Sequence, residues 1–239
     1  MIVCLDSGNT LIKWGVHDGS AWLAQGAVAH ADVAQLARLP VDWPQTTKVM
    51  LANVAGDEVA RQMCQQLAVW QPLIQQIRST REAAGVANLY KYPERLGVDR
   101  WCALIGARSF LSSAAVVVMA GTATTIDTLD ADGRYLGGAI LPGIGLMLRS
   151  LAQGTAALPF AEGHYAAYPR CTDDAIVSGV IEAQAGAIER VYARIAAPER
   201  CCVLSGGYAD RIASHLVIPY RLAQNLPLEG LKQLALAMR

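Results

Sequence analysis

No stretch of this chain concentrates lysine or arginine, and the totals cancel, 20 Lys and Arg against 20 Asp and Glu. A surface built to grip nucleic acid or an anionic membrane needs a basic patch, so neither partner fits. Long apolar runs are missing as well. The longest, Ala114 to Ala120, falls far short of the roughly 20 residues that cross a bilayer. The N-terminus passes from Ile2-Val3-Cys4-Leu5 straight into Asp6, without the basic start, longer apolar core and small-residue cleavage site of a secretory signal, which points to a cytoplasmic protein. Cys4, Cys64, Cys102, Cys171, Cys201 and Cys202 form no C-x-x-C pair and lie in or beside apolar segments. They read as reduced core residues, not as a disulfide framework. His17, His30, His164 and His215 stand apart from one another and from cysteine, so no zinc spacing exists. The P-loop pattern G-x-x-x-x-G-K-[ST] is also lacking.

What is present is apolar residue in quantity: 53% of 239 positions, enough for one large core or two smaller ones. Alternation over Ile2 to Leu5 and over Ile12, Trp14 and Val16, interrupted by Ser7-Gly8-Asn9-Thr10, predicts a β-hairpin with a polar tip. Strands are predicted at Lys48 to Val54 and Leu73 to Ile77, and helices at Asp57 to Val69 and Glu94 to Leu111. The pattern then restarts. Ala115 to Met119 and Thr125 to Leu129 form a second hairpin around Gly121-Thr122-Ala123, with a third strand at Tyr135 to Ile140. Helices at Gly145 to Gln153 and Asp174 to Ile195, a strand at Cys201 to Leu204 and a closing helix at Leu228 to Met238 complete the reading. A hydroxyl-bearing hairpin opens both halves, which suggests duplication. The boundary is placed near Ser112-Ser113, giving lobes 1–113 and 114–239.

Phosphate is held by backbone N–H groups that can approach closely, with hydroxyls and a cation around them. Two turns answer that need. In the first, Asp6-Ser7-Gly8-Asn9-Thr10-Leu11-Ile12-Lys13, a strand-end carboxylate can hold Mg2+ through water while the turn and Lys13 meet phosphates. The second, Gly121-Thr122-Ala123-Thr124-Thr125-Ile126-Asp127, offers hydroxyls. Either turn alone is an ordinary hairpin tip. A third element, Gly97-Val98-Asp99-Arg100-Trp101, sets an acid beside a base at a helix start, where the acid can accept a hydroxyl proton and the base can neutralise an anion. Composition alone reads it as a helix-start aspartate and a surface ion pair.

Together with Gly137-Gly138-Ala139-Ile140-Leu141-Pro142-Gly143, these segments resemble the ordered motif set of the type III pantothenate kinases. The resemblance implies an α/β protein with the two-lobed fold of the acetate and sugar kinase, Hsp70 and actin (ASKHA) superfamily, made of duplicated ribonuclease H-like domains. It implies ATP-dependent phosphorylation of pantothenate to 4'-phosphopantothenate, the first step of coenzyme A synthesis. Asp99 then maps to the base. Asp6, Ser7, Gly8, Asn9, Thr10, Leu11, Ile12, Lys13 and Thr122 map to ATP binding, and Tyr90, Gly97, Val98, Asp99, Arg100 and Thr172 to pantothenate binding, with Thr172 also suited to capping a helix. The turn Leu204-Ser205-Gly206-Gly207-Tyr208-Ala209 resembles the adenosine-side element.

The implied cofactors are Mg2+ with ATP and a monovalent cation, K+ or NH4+; the implied assembly is a homodimer. Many family members carry a cation-binding aspartate two residues before the second glycine turn. This chain has Met119 there, and a thioether is a poor ligand for a hard cation. Two other readings compete: an ASKHA-fold phosphotransferase of different specificity, and a non-enzymatic accessory factor for transcription. The second lacks a DNA-reading module, since basic clusters and a helix-turn-helix are missing.

Overall fold

The computed structural model describes residues 1–238. By their contacts the residues form two compact units. The first comprises Met1–Leu111, Gly133–Tyr135 and the chain from Asn225 on; the second comprises Ser112–Asp132 and Leu136–Gln224.

In the first unit, β1 (Ile2–Ser7), β2 (Leu11–His17), β3 (Trp22–Ala29), β4 (Lys48–Asn53) and β5 (Ile74–Gln76) form one sheet in the order β3-β2-β1-β4-β5. The hairpin predicted at the N-terminus is there. Ile2 pairs with His17 and Ser7 with Ile12, while β4 runs parallel to β1 on the other side. Val3, Leu5, Ile12, Val16, Val49 and Leu51 point to one face, where Met63 of α2 (Asp57–Gln66), Leu67 and Trp70 cover them. Between β3 and β4 the chain makes a 3-10 stretch, His30–Arg38, and the short α1 (Leu39–Asp42). The helix predicted to reach Val69 ends at Gln66 and gives way to a 3-10 segment, Ala68–Leu73, with Pro72 inside it. Proline lacks the N–H that an α-helix would use.

The helix predicted from Glu94 to Leu111 is broken near its start. Pro93–Arg95 form one 3-10 turn, Leu96 and Gly97 are extended, and α3 runs only over Val98–Arg108. The break has a functional consequence, because it puts Asp99 in the first turn of α3, the helix start where the sequence placed it. Before it lie the short strands β6 (Glu82–Ala83) and β7 (Val86–Asn88). β7 pairs in parallel with Arg134 and Tyr135.

The second unit repeats the plan. Strands β8 (Ala114–Ala120), β9 (Ala123–Leu129), β10 (Arg134–Pro142), β11 (Arg200–Ser205) and β12 (Tyr220–Leu222) lie in the order β12-β11-β8-β9-β10. The hairpin β8–β9 corresponds to β1–β2, and parallel β11 and β12 correspond to β4 and β5. Val116, Val118 and Ile126 on one face meet Ile176, Val180, Ile181 and Ile188 of α5 (Thr172–Tyr192), with α4 (Ile144–Gly154) and α6 (Ala209–Ala213) beside them. The six cysteines are free, as reduced residues should be, but Cys171 is exposed and so lies outside the core.

The closing helix α7 (Leu226–Ala237) packs on α3, β1 and β4, which returns the end of the chain to the first unit. Glycines permit this approach. A Cβ on Gly230 would lie 1.8 Å from the Cys102 carbonyl oxygen, and one on Gly106 would lie 2.3 Å from that of Leu226. Alanine is the better helix former by about 1 kcal/mol, yet the backbone clash dominates. Gly230→Ala is expected to destabilise the protein by about 3 kcal/mol, read as a lowered midpoint in thermal or urea unfolding. An unchanged midpoint would mean that α3 and α7 are not in backbone contact.

Candidate active site

The end of β1 carries Asp6 and Ser7 into the turn. The N–H of Gly8 donates to the Leu11 carbonyl at 3.1 Å, and the ring Nε2 of His30 lies 2.8 Å from the Gly8 carbonyl oxygen, so the turn is tied from two sides. Asn9 and Thr10 are exposed at its tip. Register places Lys13 directly opposite Asp6, and directly opposed residues share a face of the sheet. Both Asp6 and Ser7 are buried, and Asp6 Oδ1 and Ser7 Oγ have no hydrogen-bond partner in the protein. Such groups are costly in a fold unless they serve a ligand or water.

Asp6 titrates far from its ordinary range. Burial comes first and the charge of Asp99 second, and together they push its carboxyl up to about 7 against the pull of Lys13. Charge in low dielectric is unfavourable, and a like charge nearby makes it more so. Asp6, Lys13 and Asp99 are therefore one electrostatic group although 86 residues of chain separate Lys13 from Asp99. The Cys102 thiol, one helical turn after Asp99, is held well above its ordinary value by burial and then by these two carboxylates.

Asp99 stands at the start of α3 with its side chain folded back over Gly97. A Cβ at position 97 would lie 2.6 Å from Asp99 Oδ1. Glycine there leaves the carboxylate its place. The next residue, Arg100, is only 4% exposed. Its Nη2 donates to Tyr135 Oη at 2.7 Å and its Nη1 reaches Tyr90 Oη at 3.4 Å. Sequence reasoning singled out Tyr90 but missed Tyr135. A tyrosine in an alternating strand carries no signal beyond its need for a partner when buried.

In the second unit three glycine turns converge at one end of the sheet. The Gly143 N–H donates to the Thr122 carbonyl at 3.0 Å, and a Cβ on Gly143 would lie 2.2 Å from the Gly121 oxygen. Gly206, at φ +104, would place a Cβ 2.4 Å from the Ala120 oxygen, which accepts the Tyr208 N–H at 3.1 Å. Only glycine meets both demands at 206. Thr122 is exposed on this turn, while the hydroxyls of Thr124, Thr125 and Ser205 are buried without a protein partner. Thr125, Met119 and Ser205 form one row across β9, β8 and β11. Thr172 sits elsewhere in this unit. It is exposed at the first turn of α5 and lines an apolar groove of about 560 Å3 with Met147, Leu151, Leu158 and Ile176.

Among the described residues no helix is long and apolar enough to cross a membrane, and no three His, Cys, Asp or Glu side chains are grouped to hold a metal ion.

Comparison with known proteins agrees with this chemistry. The family model of the type III pantothenate kinases matches residues 2–194. The type III pantothenate kinase of Dechloromonas aromatica is 70% identical over 236 residues, covering 99% of each chain, and that of Aromatoleum aromaticum is 50% identical with 98% of each covered. Among solved structures, a Campylobacter jejuni protein described as a Baf family transcriptional activator superposes with a TM-score of 0.64 at 20% identity, covering 97% of this chain and 96% of that one. The activator of 2-hydroxyisocaproyl-CoA dehydratase from Clostridium difficile gives 0.57 at 14% identity, covering 98% and 92%. These two likenesses show the fold, the two-lobed α/β ASKHA fold. The identity with the curated relatives shows more: this chain belongs to the type III pantothenate kinases, the enzymes that phosphorylate pantothenate in coenzyme A biosynthesis.

Proposed function

We propose that the enzyme transfers the γ-phosphoryl group of ATP in line to the pantothenate hydroxyl with Asp99 as base. The observation that carries this is the electrostatic coupling of buried Asp6 with the half-buried Lys13 and Asp99, with Gly97 clearing room for the Asp99 carboxylate. Asp99 takes the hydroxyl proton. Lys13 and the turn Ser7 to Ile12 hold the phosphates. Tyr90, Gly97, Val98 and Arg100 bind pantothenate, with Arg100 meeting its carboxylate. The solved Clostridium difficile activator of this fold has ADPNP bound, which supports the nucleotide reading.

Asp6 fits a magnesium ion held through water, since its Oδ1 is buried with no partner in the protein. Magnesium bound with ATP would screen the phosphate oxygens. The monovalent cation fits less well. The row at the second turn offers a thioether, Met119, between the hydroxyls of Thr125 and Ser205, and a hard cation wants more oxygen than this. A homodimer in the cytoplasm is the assembly we favour. The exposed apolar residues Leu136 and Ile140 on β10 and Phe160 beyond it suit a second copy.

The test is ADP release by the purified protein with Mg-ATP, with and without pantothenate and with K+ or NH4+ added or omitted. ADP release that depends on pantothenate and changes by less than about twofold with the cation is expected, because the usual ligand is replaced by a thioether. A rate that collapses without K+ would show that other oxygens have rebuilt the cation site. No pantothenate-dependent release from folded protein would remove the catalytic reading.

A further inference from the structure

Arg100 is a charged side chain at near-complete burial, and two phenols contact it. Tyr135 Oη accepts from Nη2 at 2.7 Å, and Tyr90 Oη lies 3.4 Å from Nη1. The two rings stack at 5.6 Å with 28° between their planes, and the guanidinium carbon is 5.8 Å and 5.9 Å from their centres. Neither ring is free to wander. Tyr135 is fully buried, and Asn88 pairs with it across β7 and β10. The Leu89 N–H donates to the Tyr135 carbonyl at 3.2 Å, and the Tyr90 N–H donates to Asn88 Oδ1 at 3.0 Å. The Asn88 amide is itself spent on the carbonyls of Thr80 and Pro93.

A phenol fixes a guanidinium without bringing an opposite charge to it, whereas a carboxylate in the same place would compete with an anionic substrate for the same donors. We propose that Tyr135 is a positioning residue for pantothenate recognition: it holds the Arg100 guanidinium in one place and plane against the substrate carboxylate. The inference rests on the reading of Arg100 as a substrate contact. Tyr90, with the longer contact, has the lesser share in the positioning.

Steady-state kinetics of Tyr135→Phe test it. Loss of one hydrogen bond to a charged group should raise the KM for pantothenate about tenfold, with kcat within about threefold of wild type and the KM for ATP unchanged. Tyr90→Phe should move the same constant by less, and it carries the test if Tyr135→Phe does not fold. A merely structural role would not separate the two substrates. In an Arg100→Gln background, Tyr135→Phe should add nothing further, because its effect passes through the guanidinium. A wild-type pantothenate KM in Tyr135→Phe, an equal rise in both KM values, or a full effect without Arg100 would each overturn the proposal. If Arg100→Gln itself keeps a normal pantothenate KM, the reading of Arg100 fails and this inference falls with it. If Arg100→Gln raises the KM while Tyr135→Phe does not, only the positioning role is lost.

Discussion

Asp99→Asn is expected to lower kcat by about a thousandfold, the middle of what a positioned base contributes, while the protein stays folded. Asparagine keeps the size of the side chain and its place over Gly97, so what is removed is the capacity to accept a proton. The KM for ATP should stay within about threefold of wild type, since nothing in the phosphate turns changes. A second, independent readout follows from the coupling. The Asp99 charge is one of the two causes that raise the Asp6 carboxyl, so its loss should let Asp6 titrate lower, visible in the carboxyl region of an NMR titration. Near-normal turnover in Asp99→Asn would remove it from the role of base. An unmoved Asp6 would show that the two carboxylates do not sense each other.

How far this arrangement can be read from sequence depends on which part is asked for. The hairpins were legible because Ile2 to Leu5 and Ala115 to Met119 are apolar runs beside small polar turns, and their registers follow from that pattern. The duplication was visible only as two hydroxyl-bearing tips. Its real content, the matched strand orders β3-β2-β1-β4-β5 and β10-β9-β8-β11-β12, depends also on β3 and β12. β12 is short and β3 half-exposed with Gly26 inside, so local pattern gives them little weight, whereas β5 was legible at Leu73 to Ile77.

The break before α3 was hidden for a different reason. Pro93, Glu94 and Arg95 suit a helix start, and only the extended backbone at Leu96 and Gly97 reveals that the helix begins later. Long-range placement was least legible. Nothing local to Leu226–Ala237 says that it returns to α3, where Gly106 and Gly230 meet the facing backbone. Tyr135 was missed likewise, because its partner Arg100 lies 35 residues earlier in the chain. The site motifs were legible because phosphate and proton chemistry restrict residue type and order together, whereas packing accepts many solutions.

Asp6→Asn should separate stability from activity in opposite directions. In the ligand-free protein the Asp6 carboxyl is raised from 3.8 to about 7, by burial first and then by Asp99. A raised carboxyl means that the folded state binds the proton more tightly than the unfolded chain. The stability this group confers is therefore complete below about pH 4 and is lost as pH climbs through about 7, after which the cost of a buried anion is fully felt. Asparagine never carries that cost. At pH 8 the ligand-free variant should be more stable than wild type by about 2 to 4 kcal/mol, seen as a melting point about 4 to 10 °C higher, and the gap should close towards pH 4.

Mg-ATP should reverse the order. A cation beside Asp6 offsets both causes of its shift, so nucleotide should stabilise the wild type strongly and the variant weakly, with phosphoryl transfer in the variant down by about a hundredfold or more. A variant that melts no higher than wild type at pH 8 would deny that Asp6 is a buried anion at rest. One that is stabilised normally by Mg-ATP would move the metal anchor to another residue. Both outcomes as expected would mean that the ligand-free enzyme carries a carboxylate which Lys13 offsets only in part and its substrate complex satisfies. That is the form a stability cost takes when a site is arranged for a charge it does not itself contain.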